Sequence, residues 1–223
     1  MKSFVKSLLP LGQGPRPRRI LSGLYRGLWL EIDPAFETQI WAGLYEMETH
    51  ASLRRLAKGA HAFVDIGAGS GELSLWFAKI HPTAPVLAYE PDEACRERMK
   101  RNLFLNFPGT PPALTLSGEF IDDREGTVSL DEVARLLPAP VLIKIDTEGA
   151  EARILRSGSS ILRQRKARLL IETHSLELEI ESLHLLREWG YQTEVIRPAA
   201  WRRWLPEFRP PLHNQWIAAT PVP

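Results

Sequence analysis

Cysteine is almost missing from this chain: Cys95 is the single one in 223 residues. No disulfide can form within the chain, and a reducing compartment is the simpler expectation. Long hydrophobic runs are missing as well, since none approaches the roughly 18 apolar residues a membrane-spanning helix needs. The first stretch, MKSFVKSLLPLGQGPRPRRI, starts basic, but Lys6 and Pro10 interrupt its brief apolar part and no small-residue cleavage site follows. A secretory signal is therefore not expected, and the chain is read as cytoplasmic. An excess of one charge is also lacking. Lys and Arg number 28 against 27 Asp and Glu, a formal net charge of +1, so no whole-molecule field gathers nucleic acid or membrane.

What is present describes a globular chain. Hydrophobic residues make up 44% and charged residues 25%, and the length suits one domain with modest extensions. Charge is uneven only at the start, where Lys2, Lys6, Arg16, Arg18, Arg19 and Arg26 precede the first acid, Glu31. Residues 1–34 are expected to form a basic, partly disordered arm with a proline-rich hinge at GPRPRR (14–19), because proline opposes both helix and sheet. The alternative is a surface for an anionic partner. The domain proper is expected over 35–223, beginning with a helix over about 35–58, where Ile40, Leu44, Met47, Ala51 and Leu56 recur at helical spacing.

From residue 62 onward strands and helices alternate. AFVDI (62–66), APVLAYE (84–90), ALTLS (113–117), PVLIKID (140–146) and ARLLIET (167–173) read as strands with helices between them. YQTEVI (191–196) and NQWIAAT (214–220) close the sheet, joined by a connection rich in Pro and Trp that permits an antiparallel edge. Such alternation implies a mostly parallel sheet of about seven strands, with helices on both faces and right-handed crossovers: a Rossmann-like α/β fold.

VDIGAGSGE is the most informative stretch. Gly67, Gly69 and Gly71 lie between a strand and a helix, where the backbone turns sharply and approaches a ligand closely. The spacing is G-x-G-x-G, and Glu72 stands where the dinucleotide fingerprint wants its last glycine. An acid there repels pyrophosphate, which argues against NAD. S-adenosyl-L-methionine has no phosphate and carries a sulfonium cation, so Asp65 and Glu72 suit it. Glu90 ends the second strand, 19 residues after Gly71, where a carboxylate accepts hydrogen bonds from both ribose hydroxyls. The alternative for Glu90 is to cap the helix that starts at Pro91–Asp92.

VDIGAGSG, the acid in AYEPD, and IKIDTEGAE followed by LLIETH together form a pattern that resembles FkbM-type class I methyltransferases. The resemblance covers about 44–175 and implies S-adenosylmethionine-dependent O-methylation of small molecules or sugars. It implies that Asp65, Gly67, Gly69 and Glu90 hold the cofactor, with Ala68, Gly71 and Pro91 counted beside them. It also implies that Asp146, Glu148 and Glu151 line or support the site, and that Glu46 of GLYE lies near the cofactor. After the third strand come Glu119, Asp122 and Asp123, of which Asp122 is the candidate for the adenine amino group. The polar loop at 118–126 fits no pattern.

Ligands bind beyond the carboxyl ends of parallel strands, where Asp146, Glu148, Glu172 and His174 fall. A carboxylate or imidazole there can take the proton of an acceptor hydroxyl, so Asp146, Glu148 and His174 are the candidate catalytic groups. Against this, Glu148 has the position of an ordinary helix-start acid. Lys144 interrupts an apolar strand and is expected in a salt bridge with Asp65 or Glu172. No compact metal-motif spacing joins these residues, so no metal is expected.

Two rival functions remain at this point. An RNA ribose 2'-O-methyltransferase would use Lys144, Asp146, Lys166 and Glu172, with the basic arm and IRPAAWRRWLPEFR (196–209) contacting RNA; near-neutral charge opposes it. Base-amine methylation lacks its Asn/Asp-Pro-Pro-aromatic motif, and Cys95 is remote from the acceptor. A non-catalytic binding protein would have no need to keep Asp65, Glu90 and Asp146. Trp201, Trp204 and Trp216 are expected to be packing residues.

Overall fold

The computed structural model of the protein describes residues 14–199 and 214–222. Arg16–Arg19 (β1) and Trp29–Ile32 (β2) pair antiparallel, with Pro17 opposite Glu31. The proline segment expected to be a hinge is thus an edge strand, a place that tolerates a missing N–H. Ile20, Leu24, Tyr25, Leu28, Leu30 and Ile32 are buried in the same apolar cluster as Phe63, Phe77 and Leu142. The part of the expected arm within the described residues is therefore packed; residues 1–13 lie outside them.

The helix expected over 35–58 comes in pieces: Thr38–Ala42 (α1), a 3-10 turn at Met47–Thr49, and His50–Ala57 (α2). Gly43 ends α1 at φ 77° with its N–H on the carbonyls of Gln39 and Ile40, a left-handed helix stop that glycine adopts cheaply. Glu46, at φ 47°, turns the chain again. His50 then joins this loop to the hairpin, accepting from the Leu24 N–H at 3.2 Å through Nδ1 while Nε2 donates to the Tyr45 carbonyl at 3.1 Å. Burial pushes its pKa down to about 4, which keeps the ring neutral.

The main sheet has seven strands. Ala62–Ile66 (β3), Val86–Tyr89 (β4), Leu114–Ser117 (β5), Val141–Ile145 (β6), Ala167–Thr173 (β7), Tyr191–Ile196 (β8) and Gln215–Pro221 (β9) lie in the order β5-β4-β3-β6-β7-β9-β8. β3 to β7 run parallel, and β9 is antiparallel to both β7 and β8, as the sequence pattern permitted. Every residue of β3 and β6 is buried, which suits central strands covered on both faces.

On one face, Phe63, Leu142 and Leu170 pack against the hairpin, α2 and Glu72–Ile80 (α3). On the other, Val64, Ile143 and Leu169 pack beneath Leu130–Ala134 (α5), Glu151–Ser157 (α6), Ser159–Arg163 (α7) and Leu176–Glu188 (α8). Glu93–Asn106 (α4) follows β4 and closes the hairpin edge. Asn106 exchanges hydrogen bonds with the Trp29 backbone, and Asn102 accepts from the Glu31 N–H at 2.7 Å. Because strand order reverses between β3 and β6, a crevice opens beyond their carboxyl ends, where such sheets bind ligands.

Candidate active site

The glycine loop starts where β3 stops. Gly67, at φ 74°, lies so close to the next strand that a Cβ would sit 1.8 Å from the Asp146 carbonyl oxygen. Only glycine fits between those backbones. The N–H groups of Gly67 and Ala68 both donate to the Tyr89 carbonyl at 2.9 and 3.0 Å. Gly71 is the N-cap of α3. Asn102, fully buried, donates to the Ser70 carbonyl at 3.0 Å, so the residue that holds the hairpin also holds this loop.

Glu90 leans over the loop. Its Oε2 accepts the Gly69 N–H at 2.7 Å and its Oε1 the Asp92 N–H at 2.9 Å. The carboxylate thus braces the start of α4, the capping use read from the sequence, while standing against the glycine turn. Each oxygen keeps a further lone pair, and a side chain at Gly69 would meet open space. Room and acceptors are both present for a ribose diol. Pro91 is exposed beside Glu90, and its carbonyl accepts from Arg96 at 2.5 Å.

The second half of the site follows from strand periodicity. Side chains two residues apart share a face of a strand. That rule puts Asp65 beside Phe63, Lys144 and Asp146 beyond Leu142, and Glu172 and His174 beyond Leu170. In the β3–β6 register Asp65 is directly opposite Lys144. Lys144 Nζ donates to the Gly67 carbonyl at 2.5 Å and meets Asp146 Oδ2 at 3.1 Å and Asp65 Oδ1 at 3.5 Å. The expected partner Asp65 is there, and Asp146 replaces Glu172 as the other.

Electrostatics sort these groups. Burial opposes the charge of Lys144, but Asp146, Asp65 and Glu46 hold its pKa well above the usual lysine range. Burial also raises Asp65, in spite of Lys144 and a 2.6 Å hydrogen bond from Ser74. Burial and the charge of Asp146 push Glu172 up, while against its own burial Lys144 and Glu172 hold Asp146 down. The neighbouring acids are thus pushed apart, Asp146 towards its charged form and Glu172 towards its neutral one. His174 Nδ1 lies 2.7 Å from Glu151 Oε1, and that hydrogen bond outweighs burial and raises its pKa.

Not every expected residue joins. Glu148 is exposed and acts on the cluster only by adding to the negative field at His174. Glu151, completely buried at the head of α6, is the acid of that turn that reaches inward. Asp122 is buried but turned to Arg153 at 3.0 Å and Arg124 at 2.7 Å, and it accepts from the Asp123 N–H at 2.8 Å. Two guanidinium partners make it an anchor for its loop. Glu46 is buried, and its charge acts on Lys144, Glu172 and Tyr45, so it faces the acid cluster. Trp216 is a core residue, 1% exposed; Trp201 and Trp204 lie outside the described residues.

Among solved structures, the chain superposes on precorrin-6y C5,15-methyltransferase from Geobacter metallireducens GS-15 with a TM-score of 0.53 and 20% identity, over 79% of this chain and 87% of that one. It superposes on M. jannaschii TYW2 in complex with AdoMet with a TM-score of 0.54 and 18% identity, over 95% and 88% of the two chains. A methyltransferase FkbM from Methylobacillus flagellatus KT gives 0.56 and 18%, over 71% of this chain but only 43% of that longer one. The fold is thus that of the class I methyltransferases. Residues 110–197 match the family model of the methyltransferase FkbM domain, which bears out the resemblance carried by IKIDTEGAE and IETH. No curated protein matches the sequence.

Proposed function

We propose that the protein is an S-adenosylmethionine-dependent methyltransferase acting on a hydroxyl oxygen of a small molecule or sugar. The observation that carries this reading is Lys144. Its ammonium grips the Gly67 carbonyl of the glycine loop and the Asp146 carboxylate at once, so the cofactor cradle and the acid cluster form one fixed constellation. Gly67, Ala68, Gly69 and Glu90 would hold the nucleoside, and the anionic surface of Asp65, Asp146 and Glu46 favours the cationic end. S-adenosylmethionine supplies an electrophilic methyl group on a sulfonium. In-line attack of an acceptor oxygen on that methyl would need the hydroxyl proton to pass to the cluster. Asp146, which Lys144 holds towards its charged form, would orient the hydroxyl and draw off its proton.

Calorimetry with adenosylhomocysteine and with NAD tests the cofactor; preferential NAD binding overturns the reading. Glu90→Ala is expected to weaken adenosylhomocysteine by about 2–3 kcal/mol, since charged hydrogen bonds are lost. Asp146→Asn keeps the shape and removes the charge. Methyl transfer from labelled cofactor to an acceptor found by screening hydroxylated metabolites is expected to fall about 10²-fold or more. Normal turnover would reduce Asp146 to a strand-end cap.

A further inference from the structure

We propose that Asp146, Glu172 and His174 bind one first-row divalent cation, such as Mn²⁺ or Zn²⁺, beyond the carboxyl ends of β6 and β7. The proposal rests on the methyltransferase reading for what the ion does, though not for whether it binds. Sequence spacing argued against a metal because the three residues sit in two separate segments. The sheet brings those segments side by side: β6 and β7 are neighbours, and one ligand atom from each of the three residues lies within 4.8 Å of the others.

His174 carries the strongest sign. Its Nδ1 is fixed on the completely buried carboxylate of Glu151 at 2.7 Å, which sets the ring plane and directs Nε2 towards the acids. That Nε2 is buried and has no hydrogen-bond partner among the described residues. It stands 3.8 Å from Asp146 Oδ1 and 4.0 Å from Glu172 Oε2. Those separations exceed a hydrogen bond. Two ligands about 2.0–2.2 Å from one ion stand about 3.0–3.6 Å apart, so a contraction of a few tenths of an ångström completes the set. An imidazole held from behind by a carboxylate is how metal-bound histidines are oriented.

Asp146 is already divided between two tasks. Lys144 approaches through Oδ2, while Oδ1 faces His174, so a cation can be taken without breaking the Lys144 pair. Four acids, Asp65, Asp146, Glu151 and Glu172, are gathered around Lys144 and His174. A buried anionic surplus is costly, and a divalent ion relieves it. One imidazole with two carboxylates suits Mn²⁺, Fe²⁺, Co²⁺ or Zn²⁺ better than the all-oxygen preference of Mg²⁺ and Ca²⁺. Three protein ligands leave a position for the acceptor oxygen, whose proton the ion would make more acidic.

The test uses the full chain, stripped with EDTA and titrated with Mn²⁺ while electron paramagnetic resonance follows the free ion. One ion per chain is expected, with a nitrogen modulation in the bound spectrum that disappears in His174→Gln. Affinity should fall at least tenfold in His174→Gln, and about 10–100-fold in Glu151→Gln, which removes only the group behind the ring. An unchanged thermal midpoint in Glu151→Gln keeps loss of binding distinct from misfolding. Failure of the native chain to bind Mn²⁺ or Zn²⁺ at millimolar concentration overturns the proposal, as does equal affinity in His174→Gln. Adenosylhomocysteine calorimetry on the EDTA-treated chain separates the two readings: nucleoside binding without Mn²⁺ binding removes the metal alone, and the reverse removes the methyltransferase.

Discussion

At the residue scale Lys144 stands out among the described residues as a buried cation flanked by two carboxylates and a loop carbonyl. Its position was legible as a lysine inside an apolar strand, and so was the need for an acidic partner. Lys144→Met fits the strand and leaves Asp65 and Asp146 without their cation. Removing one partner of a buried pair costs about 3–5 kcal/mol, and denaturant unfolding at pH 7 should show a loss in that range. The sign with pH follows. Asp65 is raised even beside Lys144, and without that cation it rises further while Asp146 loses its largest lowering influence, so protons favour the fold more in the variant and the deficit should shrink as pH falls from 7 towards 5. A deficit independent of pH would mean that the variant fails through packing instead.

At the scale of elements, strands were far more legible than helices or the N-terminal hairpin. The apolar runs of β3, β6 and β7 have one reading once turns and helices flank them. The hairpin was hidden because Arg16, Pro17, Arg18 and Arg19 look like a solvated hinge, while the pairing that fixes them comes from Trp29–Ile32 and from Asn102 and Asn106 of α4. Such partners are remote in sequence and leave no local pattern. Glu151 was hidden for a similar reason: the chain shows acids at a helix start, and only packing decides that Glu151 turns inward while Glu148 stays in water. The hairpin can be tested through Leu30, which is completely buried. Leu30→Ala should cost about 2–5 kcal/mol, or roughly 5–15 °C in thermal midpoint for a chain of this size. A solvated arm would give a change within about 0.5 kcal/mol.

For the whole molecule the question is which acceptor its charge distribution admits. The cations around one basic hollow, Arg55, Lys58, Arg165 and Arg168, gather with Pro140 and Pro221. All lie towards the end of the sheet where β6 and β7 begin, opposite the end that carries Asp146, Glu172 and His174. From Arg168 to Glu172 along β7 is roughly 13 Å of strand, through the protein's interior. Three of the four are already engaged, Arg55 with Glu194, Arg168 with the carbonyls of Leu56 and Lys58, and Arg165 with the carbonyl of Val222. The described residues at the crevice are acidic instead, with exposed Glu148 and half-buried Asp146 in front of buried Glu46. Among the described residues, a phosphate backbone would thus meet cations at the far end of the sheet and acids at the crevice. Methyl transfer to the acceptor should therefore be nearly indifferent to salt, with KM changing less than about twofold between 50 and 200 mM NaCl. An RNA acceptor making six to ten phosphate contacts would lose about 10³–10⁵ in affinity over the same interval. A steep rise of KM with salt would overturn the small-molecule reading and return the acceptor to RNA.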